Sequence, residues 1–194
     1  MSTATFTTDP AAFIDAYQRQ TIEAIEKIDH AKVQQALDWF RAARQDGRMI
    51  FVAGNGGSAA TASHLVCDLV KDVSYQRDQR FRAMALQDAI PTATAYSNDT
   101  DFTDGIAETL KNFAQPSDLY VALSGSGNSM NLVNGMRWAN ENGLKTIAMT
   151  GRDGGKLGAE AQINILVPVP HMGRIQDAHH VICHMLSYAF SETP

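Results

Sequence analysis

The stretch Phe51-Val-Ala-Gly-Asn-Gly-Gly-Ser-Ala-Ala-Thr-Ala-Ser-His-Leu-Val-Cys-Asp68 decides how this chain is read. Met49 to Ala53 is a short apolar run of strand type, and Gly54, Gly56 and Gly57 give the backbone the freedom to turn sharply and expose its N–H groups. A helical pattern runs from Ser58 to Val73. Its N-terminus points its partial positive charge at the glycine turn, which favours a phosphate or carboxylate there, and Ser58 adds a hydroxyl donor. His64 and Asp68 are four residues apart and share one face of that helix.

The same alternation continues on either side. Apolar residues recur at helical spacing from Asp9 to Arg44, with a break near Ile28 to His30, so two helices precede the first strand. After it come strand Arg82 to Leu86, helical sequence from Ala89 to Asn112 and strand Leu119 to Ser124. Helix Asn128 to Asn142, strand Thr146 to Thr150, strand Ile163 to Pro168 and helix Arg174 to Ser191 complete the chain. This order predicts an α/β fold, a parallel five-stranded sheet flanked by helices on both faces. Ligands in such folds gather at the carboxyl ends of the strands, where the glycine-rich loops fall.

Bulk properties narrow the function. The 194 residues fit a single domain, residues 1–194, with N-terminal helices over 1–46 and an α/β core over 47–194. A hydrophobic fraction of 44% and a formal net charge of −5 match a soluble globular protein and argue against a nucleic-acid partner, which would call for a basic stripe. No signal-peptide pattern opens the chain and no apolar run approaches the roughly 20 residues that span a bilayer, so no membrane partner is expected. With two thiols, Cys67 and Cys183, the expectation is a cytoplasmic protein with reduced cysteines.

A second loop, Leu123-Ser-Gly-Ser-Gly-Asn-Ser-Met130, follows the third strand. Ser124, Ser126 and Ser129 bring three hydroxyls to a loop whose glycines let the backbone approach a ligand closely, a composition suited to a phosphate monoester. Helix capping alone would account for one of these serines. Neither loop has the Lys-Ser or Lys-Thr of a P-loop or a true GxGxxG fingerprint, so no nucleotide cofactor is expected. A third glycine turn, Thr150-Gly-Arg-Asp-Gly-Gly-Lys156, reads equally well as a plain tight turn with a solvated Lys156.

The C-terminal helix carries Arg174-Ile-Gln-Asp-Ala-His-His-Val-Ile-Cys-His184, with Gln176, His180 and His184 at successive i, i+4 positions. Packed against the helix of His64 and Asp68, it would enclose a metal or a proton-transfer site, and zinc accepts such a nitrogen and oxygen set. Gln176 and His184 are separated by a rise of about 12 Å, and on spacing alone His180 is as good a ligand as His184. His179 points about 100° away and reads as structural or exposed.

Taken together, Ala53-Gly-Asn-Gly-Gly-Ser-Ala-Ala60, His64 with a carboxylate at 68, Ser97-Asn-Asp99, Ser126-Gly-Asn-Ser129, the 150–156 turn and Arg174-Ile-Gln176 followed by His184 resemble the sugar isomerase (SIS) domain proteins. Within them the chain is similar to the phosphoheptose, or sedoheptulose 7-phosphate, isomerases. The resemblance implies a flavodoxin-like SIS fold with an N-terminal helical arm, and a homotetramer with sites between subunits. It also implies interconversion of sedoheptulose 7-phosphate, or a related ketose phosphate, with the aldose heptose 7-phosphate through an enediol, in heptose biosynthesis. By position it makes Asp68 and His184 catalytic. Asn55, Gly56, Gly57, Ser58, Asn98, Asp99, Ser124, Ser126, Ser129 and Gln176 would bind substrate, and His64, Asp68, Gln176 and His184 would hold zinc, one ion per subunit. Against the family pattern, Asp68 stands where glutamate is usual, Asp72 where arginine is common, and Gly125 where threonine often lies between two serines. A second implied reading is a non-catalytic scaffold of the replication-initiator-associating type.

Overall fold

The computed structural model describes residues 9–192, so the first eight residues of the N-terminal segment and the last two of the chain lie outside the described residues. Helices α1 (Pro10–Glu26) and α2 (His30–Gln45) come first, breaking where the apolar period lapses. Asp9 and Asp29 accept hydrogen bonds from Ala11 and Ala31 N–H at 3.0 and 2.9 Å, satisfying first-turn donors that have no partner within the helix. Then follow β1 (Met49–Gly54), α3 (Gly57–Cys67), β2 (Arg82–Ala85), α4 (Ile90–Asp99), α5 (Gly105–Phe113) and β3 (Leu119–Ser124). The chain ends with α6 (Met130–Glu141), β4 (Lys145–Gly151), α7 (Gly155–Glu160), β5 (Ile163–Val167) and α8 (Met172–Glu192).

The five strands are all parallel, in the order β2-β1-β3-β4-β5. Chain direction across the sheet reverses between β1 and β3, and Gly54 is paired with Leu123 in that register. The two loops that leave these strands therefore open side by side, at the crevice where a doubly wound sheet binds ligands. The period of two sorts each strand between two cores. Ile50, Val52, Leu119, Val121 and Leu123 pack with α2, α3 and α8, whereas Phe51, Ala53, Tyr120 and Ala122 pack with α5, α6 and α7. Each fully buried Leu, Ile or Phe in these layers contributes on the order of 1.5–3 kcal/mol.

Four local readings change. The helix expected from Ser58 to Val73 is α-helical only to Cys67 and continues as a π-helical turn, Asp68–Asp72, closed by Val73 N–H donating to Asp68 O at 3.0 Å. The helical sequence from Ala89 to Asn112 divides into α4 and α5, because Asp101 Oδ1 accepts from Thr103 N–H at 2.7 Å and turns the chain ahead of Gly105. Leu86 leaves the β2 ladder for a short 3₁₀ turn. The third glycine turn opens a helix of its own, α7, which periodicity over six residues could not reveal.

Candidate active site

The turn after β1 is built around backbone contact. A Cβ on Gly54 would lie 2.4 Å from the Ser58 carbonyl carbon, so the first turn of α3 lies directly against the strand end. Gly56 takes φ +54°, the left-handed region that glycine enters without strain. Across the switch point, the side-chain amides of Asn55 and Asn131 exchange hydrogen bonds in both directions at 2.9 Å, which ties the β1 loop to the first turn of α6. Asn131 was not singled out in the sequence; its only signal was an amide two residues past the serine cluster.

The serine loop is compact. Ser124 Oγ lies 3.5 Å from Ser126 Oγ and 3.4 Å from Ser129 Oγ, and accepts from Gly127 N–H at 3.2 Å. Ser129 is the N-cap residue of α6, yet its side chain makes no capping bond, so capping does not account for it. The 150–156 turn proves to be the prop beneath this loop. Gly127 O accepts from Leu157 N–H at 2.8 Å, Asn128 Oδ1 accepts from Lys156 N–H at 3.2 Å, and a Cβ on Gly127 would stand 2.0 Å from Gly154 O. A cavity of about 190 Å³ lies above, lined by Asn55, Ser58, the serine loop, Met172 and Gln176. Met172 Sδ fills the space a side chain at 125 would need, 2.4 Å from a Cβ placed on Gly125.

Gly56 and Gly57 are exposed at the rim, with the Gln176 amide nitrogen 3.0 Å from where a Gly57 Cβ would be. Asn98 and Asp99 are placed elsewhere. Both are exposed on α4, Asn98 donates to Asp99 at 2.7 Å, and Asp99 lines a shallow outer hollow with Pro91 and Tyr96, away from the serine loop of this chain.

Where α3 packs against α8, the polar groups converge. His64 Nε2 and His184 Nε2 are 3.0 Å apart, and Asp68 Oδ2 lies 3.5 Å from the first and 3.9 Å from the second. Asp68 is almost fully buried, its side chain 4% exposed, while the two imidazoles are about half exposed. Ser187 donates to Asp68 Oδ2 at 3.2 Å, a partner that sequence reading missed although it sits three residues beyond His184 on α8. His180 joins the group, its ring centroid 4.4 Å from that of His64 and 5.0 Å from that of His184.

Two neighbours do not belong to this group. His179 is buried, bonds to Thr150 O at 3.1 Å through Nε2, and is pushed down to about 4 by burial, so it is a neutral structural imidazole. The carboxyl of Asp72 is held low, chiefly by Lys71, which pairs with it at 2.5 Å, and its Oδ2 lies 3.5 Å from Tyr188 Oη. The charge at 72 is thereby met locally by Lys71.

The donor set fits a metal ion. Metal–nitrogen bonds of about 2.1 Å at tetrahedral angles put ligand atoms roughly 3.4 Å apart, which the spacings of 3.0, 3.5 and 3.9 Å among His64, His184 and Asp68 bracket. One ligand atom from each of His64, His180 and His184 lies within 4.8 Å of the others.

Known proteins share this sequence pattern and fold. The SIS domain family profile matches residues 13–151. A probable phosphoheptose isomerase of Thermoplasma volcanium is 41% identical over 140 residues, 72% of this chain and 71% of that protein. The phosphoheptose isomerase of Aromatoleum aromaticum is 33% identical over 171 residues, 87% and 85% of the two chains. The solved structure of a phosphoheptose isomerase from Francisella tularensis superposes with a TM-score of 0.89 at 25% identity, covering 96% of this chain and all of that one. The chain belongs to the SIS domain family and, within it, to the phosphoheptose isomerases.

Proposed function

We propose that this protein is a phosphosugar aldose-ketose isomerase that takes sedoheptulose 7-phosphate, or a closely related ketose phosphate, to the aldose phosphate. The observation that carries the reading is the buried Asp68 carboxylate facing His64 and His184 within 3.9 Å, on helices whose neighbouring turns line the serine-loop cavity.

The substrate's phosphate is assigned to Ser124, Ser126 and Ser129, whose hydroxyls and loop amides offer donors without a competing cation. Asn55 and Ser58 face the same cavity and grip sugar hydroxyls, and Gln176 reaches its rim toward the reacting end. A ketose becomes an aldose when one proton moves from C1 to C2 and another from the C1 hydroxyl to the C2 oxygen. Asp68 takes the C1 proton, giving the enediol, and returns it to C2. His184, half exposed and 3.9 Å from that carboxylate, passes the second proton between the two oxygens.

His64, Asp68 and His184, with Gln176 from the resemblance, are the residues that would hold zinc. Zinc bound there would supply Lewis-acid stabilisation of the developing enediolate charge. The two oxygens of one carboxylate permit Asp68 both roles. Apolar side chains exposed on α1, Phe13, Ile14 and Ile22, support association of subunits into a homotetramer, and the exposure of Asn98 and Asp99 on α4 is consistent with their serving a neighbour's site there. No helix among the described residues is long and apolar enough to cross a membrane. Cys67 and Cys183 are free thiols, in keeping with a reducing, cytoplasmic setting.

The convergence of Asp68 with both histidines gives the scaffold reading no support. The test is incubation of purified, zinc-supplied protein with C5 to C7 ketose phosphates, with the aldose product followed by NMR. Turnover that vanishes in Asp68→Asn and His184→Ala is the expected result. No product from any of these sugars would overturn the reading.

A further inference from the structure

At the C-terminal end of α8, a rise of about 21 Å along the helix from Gln176, a hollow of about 320 Å³ opens against α2 and the loop that leads from the π-helical turn to β2. Arg41, Arg44, Gln45, Arg77, Gln79 and Phe190 line it, and it shares no residue with the serine-loop cavity. Its lining holds three arginines and no acidic residue, in a chain whose formal net charge is −5. The hollow is thus a local concentration of positive charge on an acidic protein.

These arginines are fixed by the fold. The Arg44 guanidinium carbon lies 5.3 Å from the centre of the Phe81 ring and 5.9 Å from that of Phe190, and its Nε and Nη2 donate to Gln79 O at 3.1 and 2.8 Å. Arg77 Nη1 donates to Phe190 O at 3.0 Å. The loop carrying Arg77 and Gln79 is closed by Ser74, whose Oγ donates to Leu69 O at 2.6 Å and accepts from Phe81 N–H at 2.9 Å. A guanidinium has five N–H donors, so Arg44 and Arg77 both keep several for a ligand. Arg41 is paired with Asp38 at 2.9 Å, whereas neither Arg44 nor Arg77 forms an ion pair among the described residues. Burial, and then the neighbouring charge of Arg77, push Arg44 below the usual arginine range, as expected of like charges that lack a counter-ion.

We propose that Arg41, Arg44 and Arg77 form a second anion site, apart from the serine-loop cavity, that takes the phosphate of a small phosphorylated metabolite. The planar forks of arginine match phosphate oxygens two at a time, and an anion between them relieves the repulsion of Arg44 by Arg77. A hollow of this size suits a small molecule, and the exposed Gln45 and Gln79 amides offer hydrogen bonds to its polar remainder.

The test is equilibrium dialysis of the full-length protein against radiolabelled inorganic phosphate at low salt. Wild type is expected to bind at two sites per chain, and the double variant Ser124→Ala, Ser126→Ala at one. In that double variant, Arg77→Gln and, separately, Arg41→Gln should weaken the remaining site at least about tenfold, the ordinary effect of losing a hydrogen bond to a charged group. Arg77→Lys, which keeps the charge and loses the fork, should recover only part of the affinity. Arg44 is left in place because it is packed between two rings, and matching circular dichroism spectra and unfolding midpoints guard against a folding artefact. Competition by ribose 5-phosphate and by ATP distinguishes a sugar phosphate from a nucleotide as the source of the phosphate, the stronger competitor marking the class. A single site abolished by the serine substitutions would overturn the proposal. So would a second site indifferent to both arginine substitutions, or one that chloride fills as tightly as phosphate. Binding is read without turnover, so failure of the isomerase reading would leave this site standing.

Discussion

Ser187 Oγ donates to Asp68 Oδ2 at 3.2 Å, joining α8 to the π-helical turn across 119 residues of sequence. Ser187 is fully buried and Asp68 nearly so, so this hydroxyl is the fixed donor that holds the carboxylate oxygen facing His64 and His184. Ser187→Ala removes the donor without adding bulk. The expected outcome is a fall in kcat of roughly tenfold with a smaller change in KM, because the carboxylate is misaligned while the sugar contacts remain. Stability by urea unfolding should drop by only about 1 kcal/mol, the net value of one hydrogen bond. An unchanged kcat would show that Ser187 merely fills space.

Asp68→Asn keeps the shape of the side chain and removes its basicity. Turnover should fall about 10²–10⁴-fold, the usual weight of a general base. Exchange of the C1 hydrogen with solvent deuterium, read by NMR on the ketose phosphate, should fall in parallel. Retained exchange in this variant would move the base elsewhere.

The serine loop depends on Gly127, which combines φ +66° with a Gly154 carbonyl 2.0 Å from any Cβ. Gly127→Ala strains the backbone by an amount on the order of 1–3 kcal/mol before the clash is counted, and displaces both loops. It should lower the unfolding midpoint and raise KM for the sugar phosphate together. Gly125→Ala meets only the flexible Met172 Sδ closely, at 2.4 Å, so its defect should be milder and should be relieved in the double variant with Met172→Ala. Additive defects in that pair would disprove the coupling.

Ser124→Ala and Ser126→Ala each remove a hydroxyl that the proposed function assigns to the phosphate dianion. Hydrogen bonds to charged groups are worth about 1.5–3 kcal/mol, so KM should rise at least roughly tenfold in each, with kcat changed far less. Inhibition by inorganic phosphate should weaken in the same proportion. A change in kcat with unaltered phosphate inhibition would place the phosphate on other donors.

Much of this molecule was legible in single segments. The strand-turn-helix unit from Met49 to Asp68 carries its own evidence, since apolar runs, glycine turns and helix-spaced polar residues are local properties. The parallel sheet followed from repetition of that unit. The serine cluster was likewise legible as a candidate anion site, because its donors lie within six consecutive residues. The 150–156 turn was ambiguous for a matching reason: its partner, Gly127, is remote in sequence, and only contact with Gly154 and Leu157 reveals it as a support.

The chain's sequence by itself determined the alternation of strands and helices, the two loops at the switch point and the row of polar residues along α8, all set by periodicities of two and 3.6 and by residue types within a few positions. The tertiary structure decided how those residues are shared out. Packing of α3 against α8 groups His180 with His64 and His184 and leaves Gln176 at the cavity, Ser187 reaches Asp68 from across the fold, and Asn98 and Asp99 face outward. Spacing along one helix fixes which residues share a face, whereas the partner each one meets depends on where a second helix crosses it, and that crossing is set by the two buried layers of the sheet.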